Sequence, residues 1–167
     1  VAALIIEPQV QGAGGMRIYP PSFLGRLRRL CDEIGAWLIF DEVFSGYGRT
    51  GTMWGSEPSG VSPDIMCVAK GFSGGLLPMA ATLVTERIFE GFFGARSRAF
   101  YYGHTFCGNP LGAAVAREVL RIYHDEQIVR NAAPKAERLA ATFGRLGQLP
   151  GVAKARSLGM LGALDLV

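Results

Sequence analysis

Trp37-Leu38-Ile39-Phe40-Asp41 is an apolar run that ends in a carboxylate. Two runs of the same kind flank it: Ala2 to Ile6, which leads into Glu7, and Ile65 to Ala69, which leads into Lys70. None alternates apolar and polar residues, the pattern expected of parallel strands covered on both faces. Between the first two, Phe23, Leu24, Leu27, Leu30, Cys31 and Ile34 recur at helical spacing, with Ser22 placed to cap the start and Gly35 just past the end. Strand, helix and strand make a βαβ unit. The fold class is therefore α/β with a mainly parallel sheet.

Downstream, Ser45 to Gly60 is rich in Gly, Ser and Thr and reads as a long functional loop. Met79 to Val84 reads as a further strand and Phe100 to Gly108 as a second long loop. Asn109 is placed to cap a helix with Pro110 at its first position. Another helix is expected after Pro134, and Met160 to Val167 has the weak alternation of a strand in a second, smaller domain. Residues 1–125 are thus expected to be part of a large domain, and 126–167 a linker helix and the beginning of a small one. The opening Val-Ala-Ala-Leu-Ile-Ile starts inside a strand pattern, which suggests a segment of a longer protein.

Composition narrows the class. The 167 residues are 49% hydrophobic and 19% charged, enough for a packed core and too apolar for disorder. A formal net charge of +3, with Lys and Arg scattered, gives no footprint for nucleic acid. The densest basic cluster, Arg26, Arg28 and Arg29, reads as the solvated face of a helix. Cys31, Cys67 and Cys107 are odd in number and form no C-x-x-C pair, which argues against a disulfide framework or a zinc site and for reduced thiols in a cytoplasmic enzyme. No run reaches the ~20 apolar residues of a membrane span.

In open α/β sheets, ligands bind beyond the carboxyl ends of the strands. Glu7, Asp41 and Lys70 should therefore meet on one sheet edge. Lys70 sits between Val68-Ala69 and Gly71-Phe72-Ser73-Gly74-Gly75, where partial desolvation would favour the free amine and glycines would admit a bulky ligand. No phosphate-binding G-x-x-x-x-G-K-[ST] is present. Asp41 is placed to face a pyridine nitrogen and keep it protonated, so that the ring can accept electrons. Glu42 follows it directly, and only one of the two can enter the site if the strand geometry continues.

These residues carry a resemblance. Ile39-Phe40-Asp41-Glu42-Val43, Gly46-Tyr47-Gly48-Arg49-Thr50-Gly51, Pro63-Asp64-Ile65 and Ala69-Lys70-Gly71 with Gly74-Gly75 resemble the signature of class III aminotransferases, pyridoxal-phosphate enzymes of fold type I. Ile6-Glu7-Pro8, Gly103-His104-Thr105-Phe106 and Gly108-Asn109-Pro110-Leu111 match in the same order, so the resemblance spans essentially the whole chain. It implies that Lys70 carries pyridoxal 5′-phosphate and shuttles the substrate proton, and that Asp41 pairs with the pyridinium nitrogen. It further implies that Val43 packs on the ring, that Thr105 and the backbone around His104 reach the partner subunit's cofactor phosphate in a homodimer, and that Gly103 lies beside the substrate. Glu7 lies near the site.

Within the family the resemblance runs to the biotin-pathway branch, which moves an amino group from S-adenosylmethionine to 8-amino-7-oxononanoate. Val10-Gln11-Gly12-Ala13-Gly14-Gly15-Met16, Leu77-Pro78-Met79-Ala80-Ala81-Thr82 and Tyr102-Gly103-His104-Thr105 carry it. Phe44 departs from that branch, which usually has a small residue there, and from the ornithine-like branch, which usually has Gln. Ser45 and Tyr47 depart mildly from the usual Thr and Phe. His124 reads as an ordinary polar helix position. Two other readings stand beside this one: a class III transaminase acting on ω-amino acids or diamines, and a catalytically incomplete domain kept as a scaffold.

Overall fold

The computed structural model describes residues 1–167. Its main sheet has four strands in the order β1 (Ala3–Ile6), β4 (Trp37–Asp41), β5 (Ile65–Val68), β6 (Ala81–Val84). The first three run parallel and β6 is antiparallel to β5. Helix α1 (Ser22–Ile34) crosses from β1 to β4 as the βαβ pattern requires. Leu24, Leu27 and Cys31 of α1 bury against Leu38 and Phe40 of β4, with Ala36 closing the cluster and Leu4 and Ile6 packed beside it. Each fully buried Leu or Phe side chain contributes about 1.5–3 kcal/mol.

Only one face of the sheet is covered in this way. Leu38 and Phe40 are wholly buried, whereas Ile5 on the other face is 63% exposed. Within this chain α1 covers the Leu38–Phe40 face alone. Phe23, Leu30 and Ile34 likewise flank the α1 contact rather than entering it, and each is exposed.

Local chemistry shifts several boundaries. Ser22 is the first helical residue rather than the cap, because Pro21 already holds helical angles (φ −54°, ψ −32°) and starts the turn one residue earlier. Gly35 ends α1 in the left-handed conformation as expected (φ 67°). A four-residue helix, α2 (Glu42–Ser45), follows β4 directly, so the 45–60 loop begins on its last residue. α3 (Glu86–Glu90) follows β6, and α4 (Pro110–Asp125) is capped by Asn109, whose side chain accepts from the Leu111 amide at 3.0 Å. The last helix, α5 (Ile128–Leu146), runs through Pro134 instead of starting after it. Pro134 has no N–H to donate, so the helix gives up one backbone bond there and continues.

The strand expected over Met160 to Val167 is β8 (Leu161–Leu166), but its antiparallel partner β7 (Val152–Leu158) escaped the periodicity, as did the short antiparallel pair β2 (Val10–Gln11) and β3 (Arg17–Ile18). α5 packs on the β7–β8 hairpin. Arg156 of β7 ties that hairpin to the β2–β3 turn: its Nε donates to the Met16 carbonyl at 2.7 Å and its Nη2 to the Gly15 carbonyl at 2.6 Å, while Asp165 holds the guanidinium from β8 at 2.8 Å.

Candidate active site

The parallel order β1-β4-β5 brings three strand ends to one edge, and Glu7, Asp41 and Lys70 follow from them. Each is held differently. Glu7 Oε2 accepts from the Gly12 amide at 2.9 Å, and the Glu7 carbonyl accepts from the Tyr19 hydroxyl. Glu7 thus braces the β1–β2 connection.

Asp41 ends β4 in extended conformation and caps α2: its Oδ1 accepts from the Val43 amide at 3.0 Å. Its Oδ2 takes no hydrogen bond from the protein, which leaves one carboxylate oxygen at the sheet edge to receive a proton donor. Glu42 points the other way and is wholly buried. Its carboxylate accepts from Ser45 Oγ at 2.6 Å and from the Gly55 and Ser56 amides, each at 2.9 Å. Gln9 Nε2 donates to the Gly55 carbonyl at 2.6 Å, so the loop is fixed from the residue before β2 as well. The Asp-Glu pair therefore divides its work, with Asp41 at the edge and Glu42 as an internal anchor for the 45–60 loop.

Lys70 opens a single 3-10 turn, Lys70–Ser73, directly after β5, and its own backbone is left-handed (φ 49°). A lysine in that conformation is uncommon, and such strain gathers where geometry matters. Helix α4 packs on this turn. So does Tyr47, whose Cγ lies 2.5 Å from where a side-chain carbon at Gly71 would sit. The Tyr123 hydroxyl of α4 donates to the Tyr47 carbonyl at 3.1 Å and completes the stack. Burial of the Tyr47 phenol raises its pKa to about 12, so it stays neutral at physiological pH. Lys70 itself is exposed, which corrects the expectation of a partly desolvated amine. Its turn lies beyond the strand end, and what meets its Nζ is the Phe44 ring, 5.5 Å from the ring centre.

Gly103, His104 and Thr105 lie elsewhere, on an exposed loop that lines an open cavity of ≈ 520 Å³ with Met79 and Tyr102. His104 Nδ1 accepts from the Phe106 amide at 3.2 Å. No hydrogen bond or ion pair joins this loop to Glu7, Asp41 or Lys70. Sequence reasoning missed the anchoring role of Glu42, although a second carboxylate immediately after a strand-ending Asp was a signal for it. Val43, half-buried, supplies the amide that Asp41 caps.

The arrangement is that of an amine and a half-satisfied carboxylate at one sheet edge, with glycines around both. The family model for Aminotransferase class-III matches residues 1–167. The chain belongs to the class III aminotransferases. Among curated members of this family it is 45% identical to the adenosylmethionine-8-amino-7-oxononanoate aminotransferase of Nitratidesulfovibrio vulgaris, covering 100% of this chain and 31% of that protein. To the enzyme of the same name from Geobacter sulfurreducens it is 42% identical, covering 100% of this chain and 37% of the relative. The chain thus spans about a third of the length of these relatives. Among solved structures, a Bacillus anthracis aminotransferase superposes with a TM-score of 0.94 at 35% identity, over 100% of this chain and 37% of that one. An amine transaminase from an uncultivated Pseudomonas species, in its PLP-bound form, superposes with a TM-score of 0.92 at 41% identity, over 100% and 38%. Membership of this class implies pyridoxal phosphate. The residues present suit it: a primary amine, a carboxylate oxygen without a protein donor, and a backbone open at Gly75. No helix is long and apolar enough to cross a membrane.

Proposed function

We propose that this chain is part of a PLP-dependent transaminase of biotin synthesis, transferring an amino group from S-adenosylmethionine to 8-amino-7-oxononanoate. The observation that carries the chemistry is the placement of Lys70 and the open Asp41 oxygen on one sheet edge. When bound, the cofactor supplies an electron sink for negative charge at a substrate carbon. Lys70 is its covalent anchor and, once freed, the base that moves the proton at the substrate Cα. Asp41 Oδ2 accepts from the ring nitrogen and holds its proton in place. Val43 packs on the ring, Thr105 and the His104 backbone hold the phosphate of the partner subunit's cofactor, and Gly103 lies beside the substrate. The working unit is a cytoplasmic homodimer acting on a small amino donor and a keto acceptor. Residues 1–125 belong to the cofactor domain; 126–167 are a linker helix and the start of a smaller domain, a division supported by the packing of α5 on its own hairpin.

The names of the curated relatives support the biotin assignment. A second reading, a class III transaminase acting on ω-amino acids or diamines, is favoured by likeness to an (S)-enantioselective omega-transaminase from Thermomicrobium roseum, 37% identical with a TM-score of 0.93. Donor dependence of the full-length protein separates the two. Turnover of 8-amino-7-oxononanoate with S-adenosylmethionine supports the first; turnover only with simple amines overturns it in favour of the second. Borohydride reduction followed by peptide mapping tests the chemistry common to both, and a label on Lys135 or Lys154 in place of Lys70 would refute it.

A further inference from the structure

Phe44 is the residue that neither the family pattern nor the reaction accounts for. It lies in α2, three residues past Asp41, and is half-buried. Two cations address its ring: Arg49 Cζ at 5.1 Å and Lys70 Nζ at 5.5 Å from the centre. Both distances fall within the reach of a cation–π attraction. The ring is seated against Gly12, where a side-chain carbon would lie 2.6 Å from Phe44 Cδ1. Gly12 has no left-handed backbone, so what position 12 must provide is space rather than conformational freedom. Its amide is held by Glu7, which keeps the seat in register with the end of β1.

Lys70 takes part in none of the salt bridges of the chain. Its long side chain carries about 2 kcal/mol of rotamer entropy, and an untethered amine would sample much of that freedom. A carboxylate partner would hold it by a strong charge-assisted bond that also favours the protonated form. An aromatic face holds a cation weakly, by about 0.5–1 kcal/mol at an exposed site, and cannot take its proton. That is the kind of partner suited to an amine that must be retained near the site between covalent engagements and then released.

Resting on the reading of Lys70 as the cofactor lysine, we propose that Phe44 is a positioning residue: its ring is the seat of the Lys70 ammonium whenever that amine is not covalently engaged, and Gly12 exists in this chain to make room for the ring. A leucine-sized residue at 44 would fill the space without providing the seat.

The test is made on the full-length protein freed of cofactor, with lysines reductively methylated using ¹³C-formaldehyde. The Lys70 methyl resonance is assigned by its loss in Lys70→Arg. In the wild type it should stand upfield of the exposed-lysine methyls, displaced by the ring current, and show a nuclear Overhauser contact to aromatic protons. Phe44→Leu should return it to the position of the exposed lysines, and Phe44→Trp should keep it displaced. In separate, unmethylated holoenzyme, Phe44→Leu should lose about threefold in kcat, the equivalent of the weak attraction removed. A wild-type resonance lying among the exposed lysines and lacking the contact overturns the proposal, and this measurement needs no Phe44 variant to fold. If borohydride still fixes the cofactor on Lys70 while that resonance is unshifted, only the role of Phe44 fails. If the label falls on another lysine, the reading beneath it fails and takes the proposal with it.

Discussion

The Glu42 carboxylate receives the Gly55 amide at 2.9 Å, across thirteen residues of chain, from a position with no solvent contact. With the Ser56 amide and Ser45 hydroxyl, this one side chain satisfies the turn of a loop that has almost no regular structure of its own. Glu42→Ala leaves two buried amides without acceptors. The expected cost is about 3 kcal/mol of unfolding free energy, read by urea denaturation of the full-length protein. An unchanged midpoint would show that the loop is held from elsewhere.

Asp41→Asn keeps the shape of the side chain and removes its charge. The cap to the Val43 amide can persist through the amide oxygen, so the fold should be retained. Turnover should fall roughly a hundredfold, about 3 kcal/mol of transition-state stabilisation, while cofactor absorbance survives in part. Near-normal turnover would assign proton retention on the ring nitrogen to another group.

Gly71 faces the Tyr47 ring with no room for a methyl group. Gly71→Ala should cost about 2 kcal/mol through overpacking, measured by thermal unfolding. In a Tyr47→Leu background the same change should cost less, because the colliding ring is gone. Equal costs in both backgrounds would place the conflict elsewhere.

Asp64 joins α1 to the start of β5, accepting from Arg28 Nη1 at 2.8 Å and from the Leu38 amide at 2.7 Å. Burial pushes its pKa up, but the Leu38 amide and the Arg28 guanidinium outweigh that and hold it below the ordinary 3.8. A carboxyl with a depressed folded-state pKa contributes stability that is whole above its unfolded value and lost as pH falls through the folded one. The wild type should therefore lose stability below about pH 4 more steeply than Asp64→Asn, as followed by circular dichroism during acid titration. Parallel titration curves would show that Asp64 is not a contributor.

The shared-site arrangement proposed above predicts subunit complementation. Lys70→Ala and Thr105→Ala should each be nearly inactive. A mixed dimer places both defects in one site and neither in the other, so activity should return. Heterodimers that form without regaining activity would show that Thr105 serves its own subunit.

The sheet edge was legible in the sequence because each strand is a short apolar run broken by one charge, at Glu7, Asp41 and Lys70. The Asn109–Pro110 start of α4 was legible because capping is local. What could not be read depended on distant partners. β7 is polar at Lys154, Arg156 and Ser157 and becomes a strand only by pairing with β8. The two-residue strands β2 and β3 are too short to show a period. The exposure of the Ile5 face and of Lys70 is likewise a matter of what packs against them, which a run of apolar residues does not encode.

The Arg156 clasp has a mechanical consequence. By donating to Gly15 and Met16 it joins positions 140 residues apart in sequence, so most of the chain lies inside a non-covalent ring. The Tyr123–Tyr47 bond closes a smaller ring within it, and the bond from the Met160 amide to the Arg49 carbonyl closes one that overlaps it. Residues 91 to 99, exposed throughout, form a stretch open to a protease. A cut there opens the backbone but severs none of these closures. The two pieces should remain together and separate only in denaturant, so an intact mass on native chromatography would not prove an intact chain.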